Sequence, residues 1–374
     1  MVFDGFRKII CPFCAKEYRL GDLEMYSQVT RTVIKEAPKN RLESLWAGFR
    51  PGTLEGKENV VARKLRRCPN CHTTLPPNIE YVDQNIIIAV IGDGYSGKSH
   101  FIAAAIQQLK EGNIPPEIGL LGFSAASSET EDTYRNKYYD PLFQRNEQIP
   151  GTPIATKPLD EPLIYEMRFV DKRVNLLIYD AAGADIRQID VTVPNKPHIL
   201  NAHALIFLAD PWSMPGFVNQ LAHHLRPDPK LLSGRTPAEV LNNVIEVFKR
   251  ALGQSRDALF SLPVAIVVPK SDLIPYVITR SGDSRYSALP DTRYRSQLNR
   301  GESEGIHLVV RQLLLEIGQS QLVAMERSIE RLNFSAITAT GTASDSNGKY
   351  LQPITPHRCL DPIFWILREL EVAP

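Results

Sequence analysis

Gly92-Asp93-Gly94-Tyr95-Ser96-Gly97-Lys98-Ser99 is the stretch on which the fold turns. It matches the pattern G-x-x-x-x-G-K-[ST], and the flanking residues supply the context that pattern needs. Before it, Ile86–Ile91 is a continuous apolar run, as expected of a strand covered on both faces. After it, Phe101–Leu109 has helical spacing. Glycines let backbone N–H groups turn inward, and those donors, with a helix N-terminus, cradle phosphate oxygens. The stretch therefore places Gly92, Asp93, Gly94, Tyr95, Ser96, Gly97, Lys98, Ser99 and His100 around a polyphosphate. In that setting Lys98 reaches the β- and γ-phosphates and the Ser99 hydroxyl ligates Mg2+.

Outward from this loop, apolar strands alternate with amphipathic helices from Asn85 onward, the pattern of an α/β layer fold. Leu163–Val170 and Val174–Tyr179 read as strands separated only by Asp171-Lys172-Arg173. So short a link permits only an antiparallel hairpin, because a parallel pair needs a crossover. Ala204–Leu208, Val264–Val268 and Asn333–Ile337 read as further strands. Helices are expected at about Pro237–Leu252, Ser303–Glu316, Gln319–Arg331 and Pro362–Glu371, with Trp365 in the last buried against the sheet. Gly282–Gly301 is polar and basic and reads as a loop. Gly112–Glu161 is an unusually long connection, of the kind that is functional or disordered.

Three short segments lie at strand ends downstream of the loop. Asp180-Ala181-Ala182-Gly183 closes the hairpin's second strand, where an Asp can hold a metal through water and the Gly183 N–H can meet a γ-phosphate. Lys270-Ser271-Asp272 follows Val264–Val268. The Asp272 carboxylate can accept from guanine's N1–H and exocyclic amine, a pattern adenine cannot supply, and the Lys270 stem can lie over the base. Ser335-Ala336-Ile337 ends the last strand, where a backbone N–H could meet the guanine carbonyl. An ordinary strand end is the plain alternative for the last two.

In the order GDGYSGKS, DAAG, PKSD, SAI, with an antiparallel hairpin before DxxG, residues 85–340 resemble the small GTPases of the translation-factor-like P-loop class. A CPxC zinc ribbon in front and a long segment after the P-loop resemble, within that class, the double-GTPase group of bacterial conflict systems. The resemblance implies a Ras-like P-loop NTPase three-layer sandwich over residues 85–374, with a six-stranded sheet carrying one antiparallel strand. It also implies GTP/GDP and Mg2+ as ligands and a nucleotide-dependent conformational switch. Three departures matter. Pro269 stands where the family carries Asn or Thr, which weakens guanine preference. Ala184 stands where many members carry a water-orienting Gln or His; Asp185 is the nearest side chain able to take that role, and slow intrinsic hydrolysis is expected. Gly94 leaves room for an arginine finger in trans. For the metal-binding switch threonine, Thr130, Thr133, Thr152 and Thr156 all lie in the long segment, and Thr156 is chosen because it closely precedes the hairpin.

Residues 1–84 differ in character. Cys11/Cys14 and Cys68/Cys71 form two CPxC pairs, and two residues between cysteines let one tight turn aim both thiolates at one ion. Two such turns make a tetrahedral four-thiolate site suited to Zn2+. Against this stand haem attachment at Cys68–Cys71 plus His72, which needs export and has no matching second pair, and a redox disulfide, which two matching pairs disfavour. The 53 residues between the pairs exceed the ~15–20 of a simple ribbon, so a segment is inserted between the knuckles. Cys359 stands alone and reads as a small buried apolar residue.

The 374 residues carry 43 Lys+Arg against 42 Asp+Glu, so neither DNA coating nor anionic-membrane binding is the expected business of the chain. The run Arg63-Lys64-Leu65-Arg66-Arg67 reads as a solvated face in preference to a phosphate contact. No apolar run approaches the ~18 residues of a membrane span, and the N-terminus lacks an export signal, so a cytoplasmic protein is expected. His223-His224 read as solvated, and Tyr134, Tyr138 and Tyr139 as packing within their own domain. The favoured function is a slowly hydrolysing GTP switch acting on a protein effector or activating protein, with a homodimer left open. The alternatives are a nucleotide-holding scaffold working through its zinc module, or a P-loop ATPase or kinase.

Overall fold

Strand β6 (Gln84–Gly92), which leads into the P-loop, lies in the middle of a seven-stranded sheet. The computed structural model describes residues 8–14, 16–27, 32–34, 64–112, 114–151, 162–180, 200–227, 234–278, 286, 289 and 300–374. The chain divides into two units, Met1–Val82 and Asp83–Pro374.

In the first unit, β1 (Lys8–Ile10) pairs antiparallel with β2 (Glu17–Arg19), and Cys11–Cys14 form the turn between them. Strand β3 (Glu24–Ser27) pairs antiparallel with both β4 (Thr32–Ile34) and β5 (Lys64–Arg67), so part of the segment between the knuckles is sheet. Ile9, Phe13, Leu20, Leu23, Leu65, Leu75, Ile79 and Val82 are buried within this unit.

In the second unit the sheet order is β12-β11-β10-β6-β9-β8-β7. Here β7 is Gly122–Ala125, β8 Leu163–Arg168, β9 Arg173–Asp180, β10 Ala204–Leu208, β11 Val264–Val268 and β12 Leu332–Ala336. Strands β8 and β9 form the antiparallel hairpin, in register Arg168↔Arg173. The β6–β9, β6–β10, β10–β11 and β11–β12 pairs are parallel. The resemblance implied six strands. The seventh is β7, which pairs antiparallel with β8 at the sheet edge and comes from the long segment after the P-loop. Because β7 opposes β8, only β8 runs against the rest.

The same segment also holds helix α2 (Ser128–Tyr134), which continues without a break as a π-helix over Arg135–Gln144. Ser127 caps α2 by accepting the Thr130 N–H at 3.2 Å. Helix α1 (Lys98–Lys110) and α5 (Asp361–Glu369) pack with Ile86, Ile88 and Val90 in one core cluster. Helix α3 (Pro237–Ala251) buries Val240, Leu241, Val244, Ile245 and Phe248, a stripe at helical spacing. A capping box starts it, with Glu239 N–H donating to Thr236 Oγ1 at 3.3 Å and Thr236 N–H to Glu239 Oε2 at 2.8 Å. Helix α4 (Arg300–Glu316) follows later. The helix expected over Gln319–Arg331 is broken into a turn of α-helix at Ser320–Val323 and a 3-10 turn at Ala324–Arg327. Ser328 and Ile329 then bond back to the Met325 carbonyl and lead the chain into β12. Among the described residues no helix is long and apolar enough to cross a membrane.

Candidate functional site

Gly92 closes β6 at a point where no side chain fits, since a Cβ there would come within 2.9 Å of the Leu208 carbonyl oxygen and 2.7 Å of Ser96 Oγ. The chain then turns through Tyr95 at φ 63° and Gly97 at φ 87°, and α1 begins at Lys98. The first amides of a helix have no partner within it, so the start of α1 presents N–H donors and a positive end at this loop. Within the loop, Gly94 N–H donates to Asp93 Oδ1 at 2.7 Å and Ser96 N–H to Asp93 O at 3.3 Å. Tyr95 itself is largely exposed at the rim. Lys98 is 7% exposed, and its Nζ donates to the carbonyls of Gly92 at 2.9 Å and Asp93 at 2.8 Å. Burial lowers its pKa to about 8 despite the opposing charges of Asp180, Asp93 and Asp210.

Ser99, one residue further, donates its hydroxyl to Asp180 Oδ2 at 2.7 Å. Asp180 is the last residue of β9, opposite Val90 in the adjacent strand, so the sheet register delivers it beneath the loop. A hydroxyl and a carboxylate side by side are the hard oxygen ligands suited to Mg2+. Tyr138, from the π-helix, donates to the same Oδ2 at 3.2 Å. The His100 side chain leaves the cradle. Its Nε2 accepts the Ile149 N–H at 3.3 Å and its ring packs edge-on to Tyr350, 6.3 Å between centroids. Burial, with Lys270 nearby, lowers its pKa to about 4, so the ring is neutral.

On the other side of the loop, Lys270 sits at φ 59° just past β11. Its Nζ pairs with Asp210 Oδ1 at 2.7 Å, donates to the Tyr95 carbonyl at 3.2 Å, and lies 4.0 Å from the Trp212 ring centroid. Asp272 follows in the 3-10 turn Ser271–Leu273 and is half-buried. This turn is tied to the neighbouring strand end, with Ser271 N–H donating to Ile337 O and Ile337 N–H to Val268 O, both at 2.9 Å. Ser335 and Ala336 are buried in β12 beside it. Lys98, Ser99 and Asp180 therefore converge, and Lys270 reaches the P-loop at Tyr95. Thr156, Gly183 and Asp185, with Ala184, lie outside the described residues. Asp210, Trp212 and Tyr138 were missed as members of the site. Asp210-Pro211 carries only a turn signal in the sequence, and the three tyrosines only a packing one.

In the first unit, Cys11 Sγ lies 3.8 Å from Cys71 Sγ, and Cys14 Sγ lies 3.7 Å from Cys68 Sγ. All four sulfurs are within 4.8 Å of one another. A tetrahedron with metal–sulfur bonds of about 2.3 Å has edges of about 3.8 Å, so the four thiols fit Zn2+. Burial pushes the Cys11 thiol up. Burial also opposes ionisation at Cys68, but the N–H groups of Cys71 and Asn70 outweigh it and bring the pKa to about 7.

The model of the Double-GTPase 2 family matches residues 86–338, more than half of the chain, from within β6 to just past the end of β12. A Mycolicibacterium smegmatis (strain ATCC 700084 / mc(2)155) protein named "Putative ESX-1 scaffolding and assembly protein SaeC" is 29% identical over 336 residues, which cover 84% of this chain and 83% of that protein. With the P-loop, the parallel sheet with its antiparallel hairpin and this match in agreement, the chain belongs to the Double-GTPase 2 family.

Proposed function

We propose that this protein binds and slowly hydrolyses GTP, and that its nucleotide state is read by a protein partner. The observation that carries this reading is the convergence of Lys98, Ser99 and Asp180 under the loop between β6 and α1. In this reading the loop amides and Lys98 hold the polyphosphate, and Lys98 acts as the catalytic cation on the terminal phosphate. Ser99 and Asp180, with Thr156, hold Mg2+, which neutralises phosphate charge when bound. Lys270 and Asp272, backed by Ser335 and Ala336, take the guanine. Gly183 meets the γ-phosphate, and Asp185 orients water where Ala184 cannot. Cys11, Cys14, Cys68 and Cys71 hold a structural Zn2+.

Multiple-turnover phosphate release from GTP, compared between the natural chain and Lys98→Ala, tests the enzyme claim. Release that the substitution abolishes supports it, and equal release from both proteins contradicts it. A parallel titration with labelled GTP and ATP tests the base, with tighter GTP binding expected. The relative's name favours a second reading, in which bound nucleotide organises a protein assembly with negligible turnover. GTP binding without phosphate release selects that reading.

A further inference from the structure

The geometry points to Tyr138 as a positioning residue of the metal-binding oxygens, one that fixes Asp180 in the orientation that meets Ser99. The inference rests on the reading that Ser99 and Asp180 hold the nucleotide's divalent cation. Tyr138 is buried, and its phenol donates to Asp180 Oδ2 at 3.2 Å, the oxygen that also accepts from Ser99 at 2.7 Å. The phenol donates and the carboxylate oxygen accepts in this bond. Two donors on one oxygen restrain the carboxylate plane, whose terminal torsion is intrinsically broad.

The helix that carries Tyr138 is itself held in place. Ten residues, Arg135–Gln144, are wound as a π-helix around Pro141, a rare form that recurs at functional sites. Tyr134, four residues earlier, donates to the Ala103 carbonyl at 3.0 Å and to Gln107 Oε1 at 3.3 Å, both on α1. The Tyr134 and Tyr138 rings stack at 6.3 Å between centroids and 15° between planes. Helix α1 thus supports both donors, Ser99 from its first turn and Tyr138 through Tyr134. The segment after the P-loop thereby touches the metal site from below, through one hydroxyl that ring packing alone does not require.

The hydroxyl can be removed without disturbing the ring. Purified full-length protein, stripped with EDTA and loaded with fluorescent GDP, is titrated with Mg2+. Outer hydrogen-bond partners of metal ligands are typically worth 10–100-fold in metal affinity, so Tyr138→Phe should raise half-saturating Mg2+ by about tenfold. Its affinity for fluorescent GDP in EDTA should match the natural chain. Tyr134→Phe removes a buried hydroxyl of the same stack that does not reach Asp180; it should lower the melting temperature and, with its ring still stacked on Tyr138, shift half-saturating Mg2+ by clearly less than Tyr138→Phe does. In an Asp180→Asn background, Tyr138→Phe should add nothing further. Unchanged half-saturating Mg2+ in Tyr138→Phe, or an equal shift in Tyr134→Phe, overturns the role of Tyr138 while leaving the site intact. GDP binding by the natural chain that does not respond to Mg2+ overturns the reading of Ser99 and Asp180 as well.

Discussion

Lys270 and Asp210 form an ion pair of 2.7 Å, each standing two residues beyond the end of one of two neighbouring parallel strands, β11 and β10. Asp210 also accepts the Trp212 N–H at 3.1 Å, which fixes its carboxylate in the turn that follows β10. Lys270 reaches back from this anchor to the Tyr95 carbonyl. The side chains are 22% and 7% exposed, so the pair is shielded from the solvent that makes surface pairs weak. It ties the turn at Lys270–Asp272 to the rim of the P-loop at a position where Pro269 offers no side-chain donor.

Removing Asp210 should therefore loosen Lys270. Calorimetry is expected to show GTP affinity about tenfold weaker in Asp210→Ala, in the range of a lost charge-assisted contact. Lys270→Ala should lose as much or more, and the double variant no more than Lys270→Ala alone, because the two act as one unit. Fully additive losses would mean that Asp210 does not act through Lys270.

Much of this arrangement was legible in the sequence, for reasons that differ by element. The loop at Gly92–Ser99 could be read because phosphate binding constrains glycines, a lysine and a hydroxyl at fixed spacing between a strand and a helix. The β8–β9 hairpin could be read because so short a link leaves no room for a crossover. Strand β7 could not, since Gly122-Phe123-Ser124-Ala125 has neither a long apolar run nor clear alternation and is placed by its pairing with β8. Asp210 and Tyr138 were hidden for another reason. Each acts through a partner, 60 residues away for Lys270 and 42 for Asp180, and no local spacing records such a contact.

Lys98 gives the site a pH dependence. Burial lowers its pKa from the ordinary 10.5 to about 8, so the folded protein holds that proton more weakly than the unfolded chain does. The burial cost is therefore fully present below about pH 8 and fades as pH rises toward 10.5. A polyphosphate needs the charged form. GTP affinity measured between pH 7 and pH 10 should be level at first and fall above about pH 8, by at most about tenfold per unit. A level profile through pH 10 would show that Lys98 does not face the phosphates.

Gly216 offers a test of packing away from the nucleotide. A Cβ there would collide with the backbone carbonyl of Ile317, which has no flexible side chain to move aside. Gly216→Ala should cost about 1–3 kcal/mol in denaturant unfolding, the usual penalty for overpacking. A loss near zero would mean that the Pro215–Val218 turn and the end of α4 separate at little cost.

The four-thiolate cluster predicts one Zn2+ per chain by elemental analysis. Among its described residues the first unit buries few large side chains, so a strong chelator should expose it to proteolysis between residues 8 and 82, as happens when metal binding supplies folding energy. Cys68→Ser should do the same without chelator. A content well below one zinc per chain, or a chelated protein as resistant as the untreated one, would remove the metal.

The central claim is that the loop at Gly92–Ser99 holds a nucleoside triphosphate, with Lys98 neutralising its terminal charge. Calorimetric titration of the full chain with GTP in Mg2+, beside the same titration of Lys98→Ala, tests it most directly. The account predicts saturable one-site binding that the substitution weakens by at least about a hundredfold, the worth of a charge-assisted contact to a buried phosphate. Equal GTP binding by both proteins, or heat from neither, would contradict it.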